Sequence, residues 1–137
     1  MIGYNVIIVL SKDGKSLLMC RRKREPYKDL LNFVGGKIEK GEKHLSSAYR
    51  ELFEETAITK KDIRLKKMLN IDYPFDNFYL EIYAGKLNDN IAVFGDENEL
   101  LWVSLDENFF DFTKFAGDGN IGFILRQLFK HQNEILS

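Results

Sequence analysis

The stretch from Leu30 to Thr59 constrains the fold more than any other part of the chain, because the hydrophobic period changes inside it. Leu30-Leu31-Asn32-Phe33-Val34 is a short apolar run that ends at Gly35-Gly36, the pattern of a strand delivering its backbone to a place something must approach closely. Beyond it, Leu45, Ala48, Tyr49 and Leu52 recur at i, i+3, i+4 and i+7, which predicts an amphipathic helix from Glu42 to Thr56. Ala57-Ile58-Thr59 closes the helix in β-prone residues. A strand, a glycine loop and a helix in that order require an α/β arrangement.

The end of this helix is acidic in a way local energetics oppose. At about 100° per residue, Glu51, Glu54 and Glu55 share one face, away from the apolar stripe. Like charges three and four residues apart cost an isolated helix roughly 0.2–0.5 kcal/mol per pair, and near the C-terminus they also oppose the helix dipole. Compensation by neighbours reads as weak, since Arg50 lies about 100° from Glu51 around the helix and Lys60 and Lys61 lie beyond its end. A solvated acidic face is one reading. The other is a hard cation, for which carboxylate oxygens select Mg²⁺, with Mn²⁺ as the alternative, over zinc. Gly35-Gly36 is either a tight turn or a place where backbone groups come within reach of a metal or a phosphate.

The rest of the chain supplies strands and one more helix. Asn5–Leu10 and Ser16–Arg21 flank the turn Ser11-Lys12-Asp13-Gly14. Strand-like segments follow at about Ile63–Tyr73, Phe78–Leu87 and Leu100–Leu105, separated by Pro74, Asn88-Asp89-Asn90 and Gly95-Asp96-Glu97. Ile121, Ile124, Leu125 and Leu128 mark a last helix from Asn120 to about Gln132, with Asn120 as its N-cap. No repeat or linker interrupts the 137 residues, so one domain spanning 1–137 is expected. With 45% apolar and 13% aromatic residues, its core needs no metal or disulfide staple.

Composition narrows the partners. Twenty basic against twenty-one acidic residues leave a net charge of −1, so no global field favours nucleic acid or an anionic membrane, and a phosphate ligand must be held locally. Cys20 is the only cysteine, which excludes a disulfide scaffold and a cysteine zinc site and suits a reducing, cytoplasmic setting. The apolar run Val6–Leu10 is far short of a membrane span, and the start lacks a basic signal-peptide region. A soluble, unprocessed monomer or homodimer is expected.

Gly36, five residues, Glu42, seven residues, Arg50-Glu51-Leu52, one residue, Glu54-Glu55, one residue, Ala57-Ile58 closely resembles the signature of the Nudix hydrolases, the Nudix box, here occupying residues 36–58. The one departure is Ala57, where the family usually has glycine at the helix end. The resemblance implies a Nudix-type α/β/α sandwich with a mixed β-sheet and two principal helices. It also implies hydrolysis of a diphosphate linked to some group X, with divalent ions neutralising the phosphate oxygens. Among such enzymes the chain is most similar to MutT-like nucleoside triphosphate pyrophosphohydrolases, including the oxidised-purine (8-oxo-dGTP diphosphatase-like) kind. Asn32 stands where some of them carry a base-contacting asparagine, and Asp96-Glu97 resembles the segment that supplies an acidic residue from outside the box. Leu31 replaces a tryptophan often found there, and the paired-aspartate base pocket of some oxidised-purine enzymes has no clear counterpart around Lys114–Gly117.

Carried over by position, the resemblance implies metal ligation by Glu51, Glu54, Glu55 and the Gly35 carbonyl, with Glu51 or Glu97 as the base that orients or deprotonates water. Gly36 belongs to the same phosphate-approaching loop, and Glu42 and Arg50 form a structural network. Of Arg21, Arg22, Lys23 and Arg24, Arg22 is the favoured phosphate contact. Asn32 is a turn residue or an amide pairing with a purine edge. Asp118 and Asn120 are caps or substrate contacts. Trp102 is assigned to the core, Phe109, Phe110, Phe112 and Phe115 to core or pocket wall, and His44 and His131 to the surface. The expected reaction releases a nucleoside monophosphate and pyrophosphate. The alternatives are Nudix hydrolysis of ADP-ribose, a nucleotide sugar, a dinucleoside polyphosphate or a capped 5′ end, and a non-catalytic nucleotide-binding sensor.

Overall fold

The computed structural model describes residues 1–137, as seven strands in one mixed sheet and three helices. The order is β1 (Ile2–Leu10), β2 (Ser16–Arg21), β3 (Leu31–Asn32), β4 (Val34–Lys37), α1 (His44–Thr56), β5 (Lys66–Tyr73), β6 (Phe78–Lys86), β7 (Glu99–Ser104), α2 (Asn120–Lys130) and α3 (Gln132–Ile135). β1 pairs along its whole length with parallel β6, and β5 extends that side antiparallel. On its other edge β1 meets β4 through residues 4–7 and β2 at Leu10. β2 carries β7 and β3.

Alternation along the central strands divides the interior in two. Ile8, Leu10, Leu17 and Met19 face α2, where Ile121, Ile124, Leu125 and Leu128 close one core. Ile7, Val9, Leu18 and Cys20 face α1 and pack on Ala48 and Leu52. Both sheet faces are thus covered by helix, giving the α/β/α sandwich. No helix is long and apolar enough to cross a membrane.

Several element limits differ from the sequence reading, each for a local reason. The apolar run into the glycine pair breaks at Phe33, with Leu31–Asn32 pairing to β2 and Val34–Lys37 to β1. The segment therefore crosses from one strand to the next and lays the glycines against β1. α1 starts at His44, because Glu42 turns back to accept a hydrogen bond from the Glu39 N–H. Its buried face includes Ser47, Ala48, Leu52 and Thr56, and Leu45 is left exposed. The helix is rotated toward two small polar residues that satisfy their own hydroxyls, Ser47 with Asn5 and Thr56 with the Leu52 carbonyl. Ile63 makes only an isolated bridge to Leu87. The final helix ends at Lys130, and a short α3 follows.

Trp102 is not a core residue: it is 39% exposed on β7, an edge strand that pairs only with β2. It lies on the α1 side of the sheet, where Leu100 packs against the core and Trp102 lies farther along the strand. Asn120 is not the N-cap of α2. That position is Gly119, at φ +95°, and no side chain caps the helix.

Candidate active site

A chain of three adjoining cavities runs along the molecule, each sharing residues with the next. The first, about 220 Å³, is walled by Glu51, Glu54 and Glu55 of α1 and by Asp96, Glu97 and Asn98 of the loop before β7. The second, about 500 Å³, shares Glu55, Asp96, Glu97 and Asn98 and adds Arg22, Lys23, Arg24, Asn32 and Gly35. The third, about 890 Å³, shares Arg22, Asn32 and Phe33 and is lined mainly by apolar and aromatic groups, with Asp118 and Asn120 at its edge. The cleft therefore passes from acidic through basic to aromatic.

The acidic end is built by α1 and β4. Glu55 accepts a hydrogen bond of 3.0 Å from the Gly35 N–H. Burial pushes its carboxyl up to about 7, against the lowering effect of that hydrogen bond and with the help of the charges on Glu51, Glu54 and Glu97. Burial also raises Glu51, although Arg50 works the other way. Two carboxylates are thus held where their ionised forms are under-compensated, a condition that a bound cation relieves.

Arg50 is the compensation that helical angles alone do not reveal. Its Nη1 donates to Glu51 at 3.1 Å and to Glu54 at 3.2 Å, so the expectation of weak local neutralisation is corrected. The long guanidinium bends along the helix surface and reaches a neighbour that the Cβ directions separate. Its Nε and Nη2 meet both oxygens of Glu42 at 2.6 and 3.0 Å, and Nη2 also donates to the Lys37 carbonyl. That bidentate pair holds the Glu42 carboxyl down at about 2. Glu42 in turn accepts from the Glu39 N–H, so one side chain ties the loop to the helix. Glu51, Glu54 and Glu55 line one cavity without being closed into a ready-made ligating cluster, and Glu51 and Glu54 are paired with Arg50.

Both glycines are required by space. A Cβ on Gly35 would lie 2.2 Å from the Asn5 carbonyl oxygen, and its φ is +145°. A Cβ on Gly36 would lie 2.3 Å from the Glu51 carboxyl carbon. The close approach predicted for this pair is therefore filled in part by the protein itself, with β1 on one side and Glu51 on the other. Gly36 does not line the cleft, whereas Gly35 does.

The basic and aromatic parts bring the remaining predicted residues together. Arg22 spends its Nε on the Pro26 carbonyl at 2.7 Å. Asn32 accepts from the Phe33 N–H through Oδ1. Asp118 accepts from the Tyr27 hydroxyl at 2.7 Å, and Asn120 donates from Nδ2 to the Tyr73 hydroxyl at 2.6 Å. Tyr73 stacks on Phe78, with ring centroids 4.6 Å apart. Tyr27, Tyr73 and Phe78 have no sequence pattern that sets them apart from ordinary strand and loop aromatics. Of the aromatics expected as core or pocket wall, Phe109 and Phe115 are core, Phe110 and Phe112 are exposed, and none lines the third cavity.

His44 is half exposed, but it is not an isolated surface residue. Its Nδ1 is 2.5 Å from Oε1 of buried Glu81 on β6, which also receives the Tyr83 hydroxyl and lies near Lys67.

Known proteins share this architecture and, in part, this sequence. The chain aligns with a Caenorhabditis elegans Ap4A hydrolase in a binary complex at TM-score 0.75 and 20% identity, over 97% of this chain and 98% of that one. It aligns with a MutT of the Aliivibrio salmonicida and Vibrio cholerae pair at TM-score 0.71 and 20% identity, over 94% and 98%. The Nudix domain of Shewanella oneidensis NrtR, complexed with ADP ribose, aligns at TM-score 0.75 and 15% identity, over 96% and 88%. Identities at this level speak for the fold alone. The sequence itself matches the NUDIX domain model over residues 1–121, which takes in the acidic helix, the glycine loop and every strand, and so the chain belongs to the Nudix family.

Proposed function

We propose that this Nudix hydrolase cleaves the diphosphate linkage of a nucleoside triphosphate, releasing a nucleoside monophosphate and pyrophosphate. The observation that carries this reading is the polarity of the cleft, acidic, then basic, then aromatic, in the order in which a metal-bound phosphate chain and a base would lie.

The donor set at the acidic end fits Mg²⁺: Glu51, Glu54, Glu55 and the Gly35 carbonyl are all oxygen donors, and Glu55 is a half-buried carboxylate surrounded by like charge. A divalent ion held there supplies charge neutralisation for the phosphate oxygens. Glu51 and Glu97 face the same cavity, and either can accept the proton of the attacking water. Arg22, with Lys23 and Arg24, binds the phosphate chain at the middle of the cleft. Asn32, Asp118 and Asn120 present hydrogen-bonding groups to the edge of a planar base, while the stacked Tyr73 and Phe78 offer an aromatic wall. Glu42 and Arg50 hold the loop and helix in register. An oxidised purine triphosphate is the specific candidate drawn from the MutT-like resemblance.

The experiment is a substrate panel of nucleoside triphosphates, ADP-ribose, nucleotide sugars and dinucleoside polyphosphates, with pyrophosphate and phosphate release measured separately. Pyrophosphate release from triphosphates is expected, dependent on Mg²⁺ and lost by orders of magnitude in Glu54→Gln and Glu55→Gln. Preference for ADP-ribose or a dinucleoside polyphosphate, or full turnover in excess chelator, overturns the proposal. Binding without turnover of any member would mark a sensor, against which stands the presence of all four box glutamates, Glu42, Glu51, Glu54 and Glu55.

A further inference from the structure

Only four polar or charged residues are fully buried, and three of them, Asn5, Ser47 and Glu81, meet under the first half of α1. Asn5 is the least expected, since it continues the α1-facing stripe of β1 that is otherwise Ile7 and Val9. Both ends of its carboxamide are engaged. Nδ2 donates to Ser47 Oγ on α1 at 3.0 Å, and Oδ1 accepts from the Gly36 N–H on β4 at 3.0 Å. The Gly36 N–H can only donate, so it fixes which end of the amide is oxygen and leaves Nδ2 for Ser47.

The Gly36 N–H belongs to the same planar unit as the Gly35 carbonyl, and in a trans peptide the two point in opposite directions. Glycine at both ends of this unit leaves its rotation unrestrained by side chains, and Gly35 sits at φ +145°, where local preference does not choose the orientation. The peptide must therefore be held by its partners. Within the unit the Gly36 N–H is bound by the Asn5 side chain; the peptide before it is held through the Gly35 N–H by Glu55, and both lie in the stretch of β4 that pairs with β1.

We propose that Asn5 is a positioning residue of the site, whose side chain sets the direction of the Gly35 carbonyl and ties that direction to the placement of α1 through Ser47. The inference rests on the reading of the Gly35 carbonyl as a metal ligand. Asn5 touches neither the cleft nor the substrate. It acts as an outer partner of a ligand, a class of residue whose loss lowers metal affinity without removing a donor.

The test is Mn²⁺ affinity, read by the loss of the free-ion paramagnetic resonance signal, together with Gly36 amide exchange. It uses the full chain and the variants Asn5→Leu, Asn5→Asp and Glu55→Gln. Asn5→Leu is expected to weaken Mn²⁺ about 10- to 100-fold and to speed Gly36 exchange. Asn5→Asp, which keeps the acceptor, is expected to restore most of the affinity. A purely structural asparagine would lower the melting temperature of Asn5→Leu and leave its Mn²⁺ affinity unchanged, and that result overturns the proposal, as does failure of Asn5→Asp to rescue. If Asn5→Leu does not fold, Asn5→Ser, too short to reach Gly36, takes its place with the same expectations. Glu55→Gln separates the two levels. If it binds Mn²⁺ as tightly as the native chain, or if the native chain does not bind, the metal reading itself fails and the positioning role falls with it.

Discussion

Ala57 ends α1 at φ +66°, ψ +8°, the left-handed conformation that costs every residue with a Cβ. Its N–H still bonds the Phe53 carbonyl, so the helix terminates as a glycine would terminate it. Ala57→Gly is therefore expected to stabilise the fold by about 0.5–1 kcal/mol in urea unfolding while leaving kcat within a few-fold. A large rise in kcat would instead show that the acidic helix is misplaced as it stands. Asn32 is constrained in a different way. Its Oδ1 accepts one bond from the Phe33 N–H, which fixes the orientation of the amide and leaves its two N–H donors and one oxygen lone pair to pair with a base edge. Asn32→Ala is expected to lower kcat/KM for the preferred nucleotide about 10-fold or more and to flatten the ranking among bases, whereas Arg22→Ala weakens all triphosphates alike. An unchanged ranking would leave Asn32 as a turn residue.

At the scale of elements, α1 depends on the Glu42–Arg50 clamp more than on end capping, since Lys43 provides no side-chain cap. A carboxyl held at about 2 in the folded state contributes stability above its ordinary range that is lost as pH falls from about 4.5 toward 2. Glu42→Gln should flatten that acid limb in a pH-dependent unfolding series. It should also free Arg50 to hold Glu51 and Glu54 more tightly, raising the Mg²⁺ concentration needed for half activity. An acid limb unchanged in Glu42→Gln would count against the clamp. Elements with a clear local signature were legible in the sequence: β1, β2 and β6 lie where apolar runs bounded by turn residues place them, and α1 and α2 where the 3.6-residue stripe does. Box spacing likewise marked Glu51, Glu54 and Glu55, which do meet around one cavity. What could not be read depends on contacts between elements and on the reach of a long side chain. The part-buried pairing of His44 with Glu81 and the Asn5–Ser47 bond join residues 37 and 42 positions apart and carry no periodic trace, and the reach of Arg50 to Glu51 follows from its length and not from its Cβ direction. Trp102 lies outside the core although its sequence is that of a core strand, because apolar character does not distinguish an edge strand from a central one.

The whole molecule places a stiff sheet between two apolar cores and leaves the acidic cavity between α1 and the loop before β7. Glu55 is where that architecture meets solution conditions. Its folded carboxyl titrates near 7, above the ordinary value near 4.5, so between those limits the folded chain keeps a proton that the unfolded chain gives up. Stability contributed by this group is thus present at low pH and lost as pH rises through about 7. A divalent ion at the same carboxylate reverses the balance, because it binds the ionised form of the folded state alone. In thermal unfolding from pH 5 to pH 8, the metal-free protein is expected to lose stability across this window, while the rise in Tm caused by Mg²⁺ grows across it. At a hundredfold excess over Kd, mass action sets the gain in stability behind that rise at about 2.7 kcal/mol. Glu55→Gln should be more stable than the native chain without metal at pH 8, show a flatter pH profile and respond little to Mg²⁺. An Mg²⁺ shift of the same size at pH 5 and pH 8, or one retained in Glu55→Gln, would place the ion somewhere other than the buried end of α1.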